Sequence, residues 1–253
     1  MYSNTQTADA PSPSRRGLLR AAVAGSAAVG SVLALGSAFP ASAASAPAPA
    51  PAEPEAAGRP VSPEEALRRL TTGNRRWRTY CQEHPHESPS ERLRLTRAQH
   101  PFAIVLGCVD SRVPPELVFD QGLGDLLTVR SAGEVLDEAV LGSIAYGVLE
   151  LEIPLVLVLG HQSCGAVRAA VHADETGEQL PAHIQYLADQ IRPSIDHGQH
   201  GDARVDAAID AHARRTRGRL AAEPDLARSI ATGKLAVVAA RYDLRDQRVR
   251  TLA

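Results

Sequence analysis

Four short, uncharged, apolar runs constrain this chain more than any other feature: Phe102–Leu106, Leu126–Val129, Leu155–Leu159 and Leu235–Ala239. None alternates polar with apolar residues, as expected of strands buried on both faces. Helical patterns separate them, at Leu136–Leu151, Cys164–Val171 and Ala182–Ile191, with two more inside Ala203–Ile230. Strands alternating with helices predict an α/β domain, a mostly parallel central sheet flanked by helices. Upstream, Ser62-Pro63-Glu64-Glu65 joins a capping serine, a proline at the first helical position and a glutamate three residues after the cap. This predicts a helix to about Tyr80, with Leu67, Leu70 and Trp77 on its apolar stripe. Gly73 is the expected break within it, and Glu83 to Pro89 reads as a loop.

The chain has 253 residues, 44% hydrophobic and 22% charged, with net charge −2. That excludes a disordered or multi-span membrane chain and offers no basic field for nucleic acid. Its first part reads differently from the rest. Arg15-Arg16-Gly17-Leu18-Leu19-Arg20 precedes an uncharged stretch from Ala21 to Phe39, then Pro40-Ala41-Ser42-Ala43. Basic, apolar and small-residue regions in that order make residues 1–43 a signal peptide, and the paired arginines make it the twin-arginine kind. The competing account, a membrane anchor, suits a stretch of Ala, Gly and Ser poorly. Ala43 and Ala46 both fit as the cleavage point. Residues 44–60, dominated by Ala and Pro, read as a spacer. Residues 61–253 are then the folded domain, and the mature protein is expected to be exported by the twin-arginine machinery to the periplasm, cell envelope or medium.

Three cysteines in an exported chain make an odd number. A metal site using two accounts for it, with Cys81 left as an incidental thiol. The runs ending at Leu106 and Leu159 are followed by Gly107-Cys108 and Gly160-His161. Ligands in such sheets sit beyond the carboxyl ends of strands, so both polar ends project from one edge. His161 and Cys164 are three apart across a strand-to-helix turn, and the helix start favours a thiolate at Cys164. Two cysteines and one histidine suit zinc with an open fourth position. The alternative is two buried thiols and a loop histidine. Asp110 and Arg112 follow Cys108, and a bidentate pair there would keep the carboxylate ionised beside the metal.

Cys108-Val109-Asp110-Ser111-Arg112, followed about fifty residues later by His161-Gln162-Ser163-Cys164-Gly165, resembles the signature of the β-class carbonic anhydrases. Val113-Pro114-Pro115-Glu116, Val129-Arg130-Ser131-Ala132-Gly133, Cys164-Gly165-Ala166-Val167 and Tyr242-Asp243-Leu244 resemble that family too, so the likeness runs from Ser62 to the C-terminus. It implies one zinc ion per chain held by Cys108, His161 and Cys164, with Asp110 and Arg112 as a dyad beside it. In some members the aspartate itself ligates zinc in a closed, inactive form, so Asp110 is a candidate fourth ligand. The implied reaction is reversible hydration of carbon dioxide to bicarbonate and a proton through zinc-bound hydroxide. Relatives assemble as dimers or larger, an N-terminal helical arm crossing to a neighbour, and the helix starting at Ser62 is the candidate arm.

Three other readings compete. A relative of the same fold hydrolyses carbon disulfide or carbonyl sulfide with the same ligands. A non-catalytic zinc-binding protein would not need Asp110 and Arg112, and a Cys–His nucleophilic hydrolase leaves one cysteine unexplained. Some positions depart from the family. Ser131 and Glu134 stand where many relatives have asparagine, and Asp246-Gln247 replaces a common Thr-Gly turn. Val105 replaces the tryptophan of the family's allosteric bicarbonate site, so no such switch is expected. Val113 is expected to line the carbon dioxide side. His172, His183, His197 and His200 are available as proton acceptors, none singled out. Two thiolates donate more charge to zinc than the imidazoles of three-histidine carbonic anhydrases, whose bound water has a pKa of about 7. A less acidic water follows. Hydration activity is therefore expected to rise toward alkaline pH, and a rate profile flat between about pH 6 and 9 would contradict this.

Overall fold

A computed structural model describes residues 62–253; the predicted signal peptide, spacer and residue 61 lie outside the described residues. Five strands form one sheet in the order β2-β1-β3-β4-β5. They are β1 (Ala103–Gly107), β2 (Leu126–Arg130), β3 (Leu155–His161), β4 (Ala236–Tyr242) and β5 (Val249–Leu252). The first four are parallel, and β5 runs antiparallel to β4 at the edge. The four apolar runs are therefore the four parallel strands, each within one to three residues of its expected ends.

The side chains of β1 explain why the runs lack alternation. Ile104 and Leu106 enter a core with Val140, Ile144 and Val148 of α4 (Glu138–Leu149). Ala103 and Val105 face the opposite way, into a core with Ala66 and Leu70 of α1 (Pro63–Arg78). Each strand thus needs apolar residues on both faces. Leu155 to Leu159 are at most 1% exposed, each such side chain contributing roughly 2 kcal/mol relative to exposure. The same core beside α4 includes Ala213 and Leu220 of α7 (Gly201–Ala221) and Leu226 of α8 (Pro224–Ala231). A third core gathers under α5 (Gly165–Thr176), α6 (Ala182–Ile191) and α7, at the strands' carboxyl ends.

Three short elements escaped the sequence reading. These are α2 (Pro89–Leu95), which buries no residue, α3 (Pro115–Val118), a single turn, and β5, half polar and on the edge. The loop before α2 is pinned by carboxylates: Asp120 accepts from the backbone N–H groups of Glu83 and His84 at 3.0 and 3.2 Å, and His86 Nδ1 lies 2.8 Å from Asp125 Oδ2. No helix among the described residues is long and apolar enough to cross a membrane.

The expected break at Gly73 does not occur. Ser62 Oγ accepts from Glu65 N–H at 3.2 Å, as the cap motif requires, and α1 then runs unbroken to Arg78. Gly73 serves close packing instead, and Asn74 beside it is buried. Its amide donates to the carbonyls of Val118 and Gln247 at 3.0 Å each and accepts from Val249 N–H at 2.9 Å. A Cβ added at Gly73 would stand 1.7 Å from the Phe119 carbonyl oxygen. Helix propensity alone would make Gly73→Ala stabilising by about 1 kcal/mol. The backbone contact reverses the sign, and urea unfolding is expected to show a loss of about 1–3 kcal/mol or more.

Candidate metal centre

Cys108 follows β1 directly, His161 is the last residue of β3, and Cys164 caps the start of α5. Strands β1 and β3 are parallel neighbours, with Gly107 opposite Leu159, so their carboxyl ends emerge at one edge. The sulfurs of Cys108 and Cys164 lie 4.0 Å apart. The ligand atoms of Cys108, His161 and Cys164 all fall within 4.8 Å of one another, and all three residues are buried.

The His161 ring has its ligand nitrogen free. Nδ1 lies 2.9 Å from the Gln162 carbonyl oxygen and donates to it in the Nδ1–H tautomer. Nε2 then carries the lone pair, and it is buried without a hydrogen-bond partner. The two thiols are pushed in opposite directions. Cys108 is pulled down to about 4, first by Cys164 and then, against burial, by His161, the Gly133 N–H at 3.4 Å and the Asp110 backbone. Cys164 is driven the other way by Cys108, by burial and by the Glu134 carboxyl.

An orphaned buried nitrogen beside two crowded sulfurs suits a soft divalent cation. Zinc–thiolate bonds of about 2.3 Å at a tetrahedral angle put two sulfurs roughly 3.8 Å apart, and the observed 4.0 Å agrees. Three protein ligands leave the fourth position open, the arrangement of catalytic rather than structural zinc.

Asp110 and Arg112 form the expected pair. Arg112 donates from Nε to Oδ1 at 2.9 Å and from Nη2 to Oδ2 at 2.7 Å, and its backbone N–H reaches Oδ1 at 2.9 Å. Arg112 above all holds the Asp110 carboxyl down to about 2. Asp110 Oδ2 lies 3.9 Å from His161 Nε2, which turns the dyad toward the ligand group. Arg112 Nη2 also reaches the Ser163 carbonyl at 3.3 Å, joining the loops after β1 and β3.

Two neighbours were not singled out from sequence. Arg130, ending β2, donates to the carbonyls of Cys108 and Asp110 at 2.7 Å each and of Val113 at 3.4 Å. Gly133, at φ +66°, supplies the N–H to Cys108. Both stand in the family-like segment Val129–Gly133, which was the available signal, though it gave neither a role. Of the departures from the family pattern, Ser131 donates to the Val135 carbonyl at 2.7 Å. Glu134 is buried at φ +50° with Oε1 unpartnered, and burial, then Cys108, raises its carboxyl well above the usual range.

Other expectations land elsewhere. Val113 is buried in the core beside α1 rather than lining an open face, and the exposed neighbour of the first cysteine is Val109. His172, His183, His197 and His200 are exposed and stand outside the ligand group. Cys81 is an exposed free thiol.

The chain is similar to known proteins. Residues 103–249 match the carbonic anhydrase family. A carbonic anhydrase of Mycolicibacterium smegmatis is 43% identical over 190 residues, covering 74% of this chain and 92% of that protein. Carbonic anhydrase 2 of Mycobacterium tuberculosis is 42% identical with the same coverage. Among solved structures, a tetrameric β-carbonic anhydrase of Sordaria macrospora superposes with TM-score 0.61 at 20% identity, over 74% of this chain and 96% of that one. The Coccomyxa β-carbonic anhydrase, solved with acetazolamide, gives 0.58 at 25% identity, over 74% and 86%. On sequence and fold together, the chain belongs to the carbonic anhydrase family, in its β-class architecture.

Proposed function

We propose that this chain catalyses the reversible hydration of carbon dioxide to bicarbonate and a proton, with one zinc ion per chain held by Cys108, His161 and Cys164. The observation that carries the reading is the convergence of those three ligand atoms beside a carboxylate already paired with arginine. Zinc in that position supplies Lewis acidity, enough to make water a nucleophile near neutral pH. The remaining work belongs to the chain. Asp110, kept ionised by Arg112, is an acceptor only, so it takes a hydrogen bond from the attacking water and turns a lone pair toward the substrate carbon. Its bidentate commitment to Arg112 supports the open arrangement over one in which Asp110 itself ligates the metal. Arg130 holds the carbonyls on either side of Val109, so the first cysteine and the aspartate keep their relative positions.

Two further readings go with this one. Residues 1–43 act as a twin-arginine signal, residues 44–60 as a spacer, and the catalytic domain from residue 61 works outside the cytosol. The active unit is a homodimer or larger assembly, supported by the tetrameric relative.

Purified protein is expected to contain about one zinc per chain and to hydrate carbon dioxide faster than it hydrolyses carbon disulfide or carbonyl sulfide. Cys108→Ser should lose both metal and activity. Full hydration by a metal-free Cys108→Ser variant would overturn the assignment. Replacing Arg15 and Arg16 together by lysine should retain the protein in the cytosol, and unimpaired export would contradict the twin-arginine reading.

A further inference from the structure

Gln162 directly follows the ligand His161, and the chemistry above makes no use of its side chain. On one side its main chain holds the ligand. The 2.9 Å contact between His161 Nδ1 and the Gln162 carbonyl oxygen places the ring N–H at Nδ1, because a carbonyl can only accept. The Nε2 lone pair is left for the metal, buried and without a protein partner.

On its other side Gln162 is tied twice to the chain leaving β4. His161 and Tyr242 are register partners in the parallel pair of β3 with β4. The Gln162 N–H carries that ladder one bond further, donating to the Tyr242 carbonyl at 2.9 Å. Its side-chain Oε1 accepts from the Leu244 N–H at 3.1 Å. The anchoring segment is itself fixed. Tyr242 is buried, its hydroxyl accepts from Trp77 Nε1 at 3.1 Å, and Leu244 packs against the core beside α1. Between them, the Asp243 N–H donates to the Arg248 carbonyl at 2.9 Å.

The N–H bond alone would leave Gln162 free to turn about φ, which would carry its carbonyl away from the imidazole. Anchoring the side chain as well fixes the Cα–Cβ direction, and with it φ. Groups behind a metal-bound histidine set its tautomer and ring orientation, and losing them weakens metal binding about tenfold or more.

We infer that Gln162 is a positioning residue for the metal centre: its side chain, bonded to the Leu244 N–H, holds its own carbonyl on His161 Nδ1 and so keeps Nε2 aimed at the metal. The inference rests on His161 being a zinc ligand. The side chain acts through His161 and takes no part in the reaction itself.

The test compares wild type with Gln162→Met, Gln162→Asn and Gln162→Glu in the purified full chain. Methionine keeps the side chain's length without the carbonyl acceptor. Asparagine keeps the amide but falls one methylene short, and glutamate keeps an acceptor at the same reach. The readouts are the visible d–d bands after loading with cobalt(II), the rate of zinc release to a chelator, and the urea midpoint. The Met and Asn variants should shift the cobalt bands and release zinc about tenfold faster, and Glu should restore both. Bands and release rates unchanged in Met and Asn would overturn the inference, whether or not the urea midpoint falls. So would a glutamate variant that behaves like methionine, since the lost acceptor would then not be the cause. If the Met variant does not fold, the Asn and Glu pair decides. A wild type that takes up neither metal overturns the zinc reading and this inference with it, a result distinct from these.

Discussion

Two sulfur atoms 4.0 Å apart, in a core shared with Val135, Val167, Ala170 and Ile191, repel each other strongly if both are ionised. Burial sharpens this, because little water is present to screen them. The surroundings can be understood as responses to that crowding. The Gly133 N–H faces Cys108, the imidazole of His161 turns its lone pair inward, and burial, then Cys108, pushes the Glu134 carboxyl above its usual range. A divalent ion completes the balance, which neither sulfur achieves alone.

The sheet brings these groups together and the loops hold them. Parallel pairing of β1 with β3 sends Cys108 and His161 to one edge, and α5 begins where Cys164 can join them. Arg130 then binds backbone carbonyls of the loop after β1, and Arg112, besides its pair with Asp110, reaches the Ser163 carbonyl in the loop after β3. Ser163, Gly133 and Glu134 all have positive φ. Such conformations cost of order 1 kcal/mol or more for residues other than glycine, and two of these three are not glycine.

What could be read from the chain in advance was whatever rests on periodicity or on residue type at fixed spacing. The parallel strands announced themselves because apolar side chains stand on both faces, fully buried in β1 and β3 and half-buried in the edge strand β2, and the ligand trio because Cys, His and Cys fall at strand ends. The helix cap at Ser62 was legible for the same reason. Gly73 misled because its cost in helix propensity is local, whereas its use, contact with the Phe119 backbone, comes from residues far along the chain. Strand β5 and helix α2 were missed because exposed or edge elements bury too little to leave a pattern. Arg130 and Gly133 stood in a family-like segment, but their roles were not legible there because they depend on backbone atoms, which every residue carries.

Asn74 gives the domain a particular order of assembly. Its amide in the first helix is satisfied only by the backbone at Val118, Gln247 and Val249, the last of these 175 positions away. A buried amide left without partners costs about 1–3 kcal/mol. Docking of α1 in its final place is therefore incomplete until the last strand has been synthesised and laid against β4. Closure over so long a separation is slow compared with local helix formation. Synthesis must pass residue 249 before this amide is fully satisfied, and a polypeptide cut short before residue 247 lacks two of its three partners.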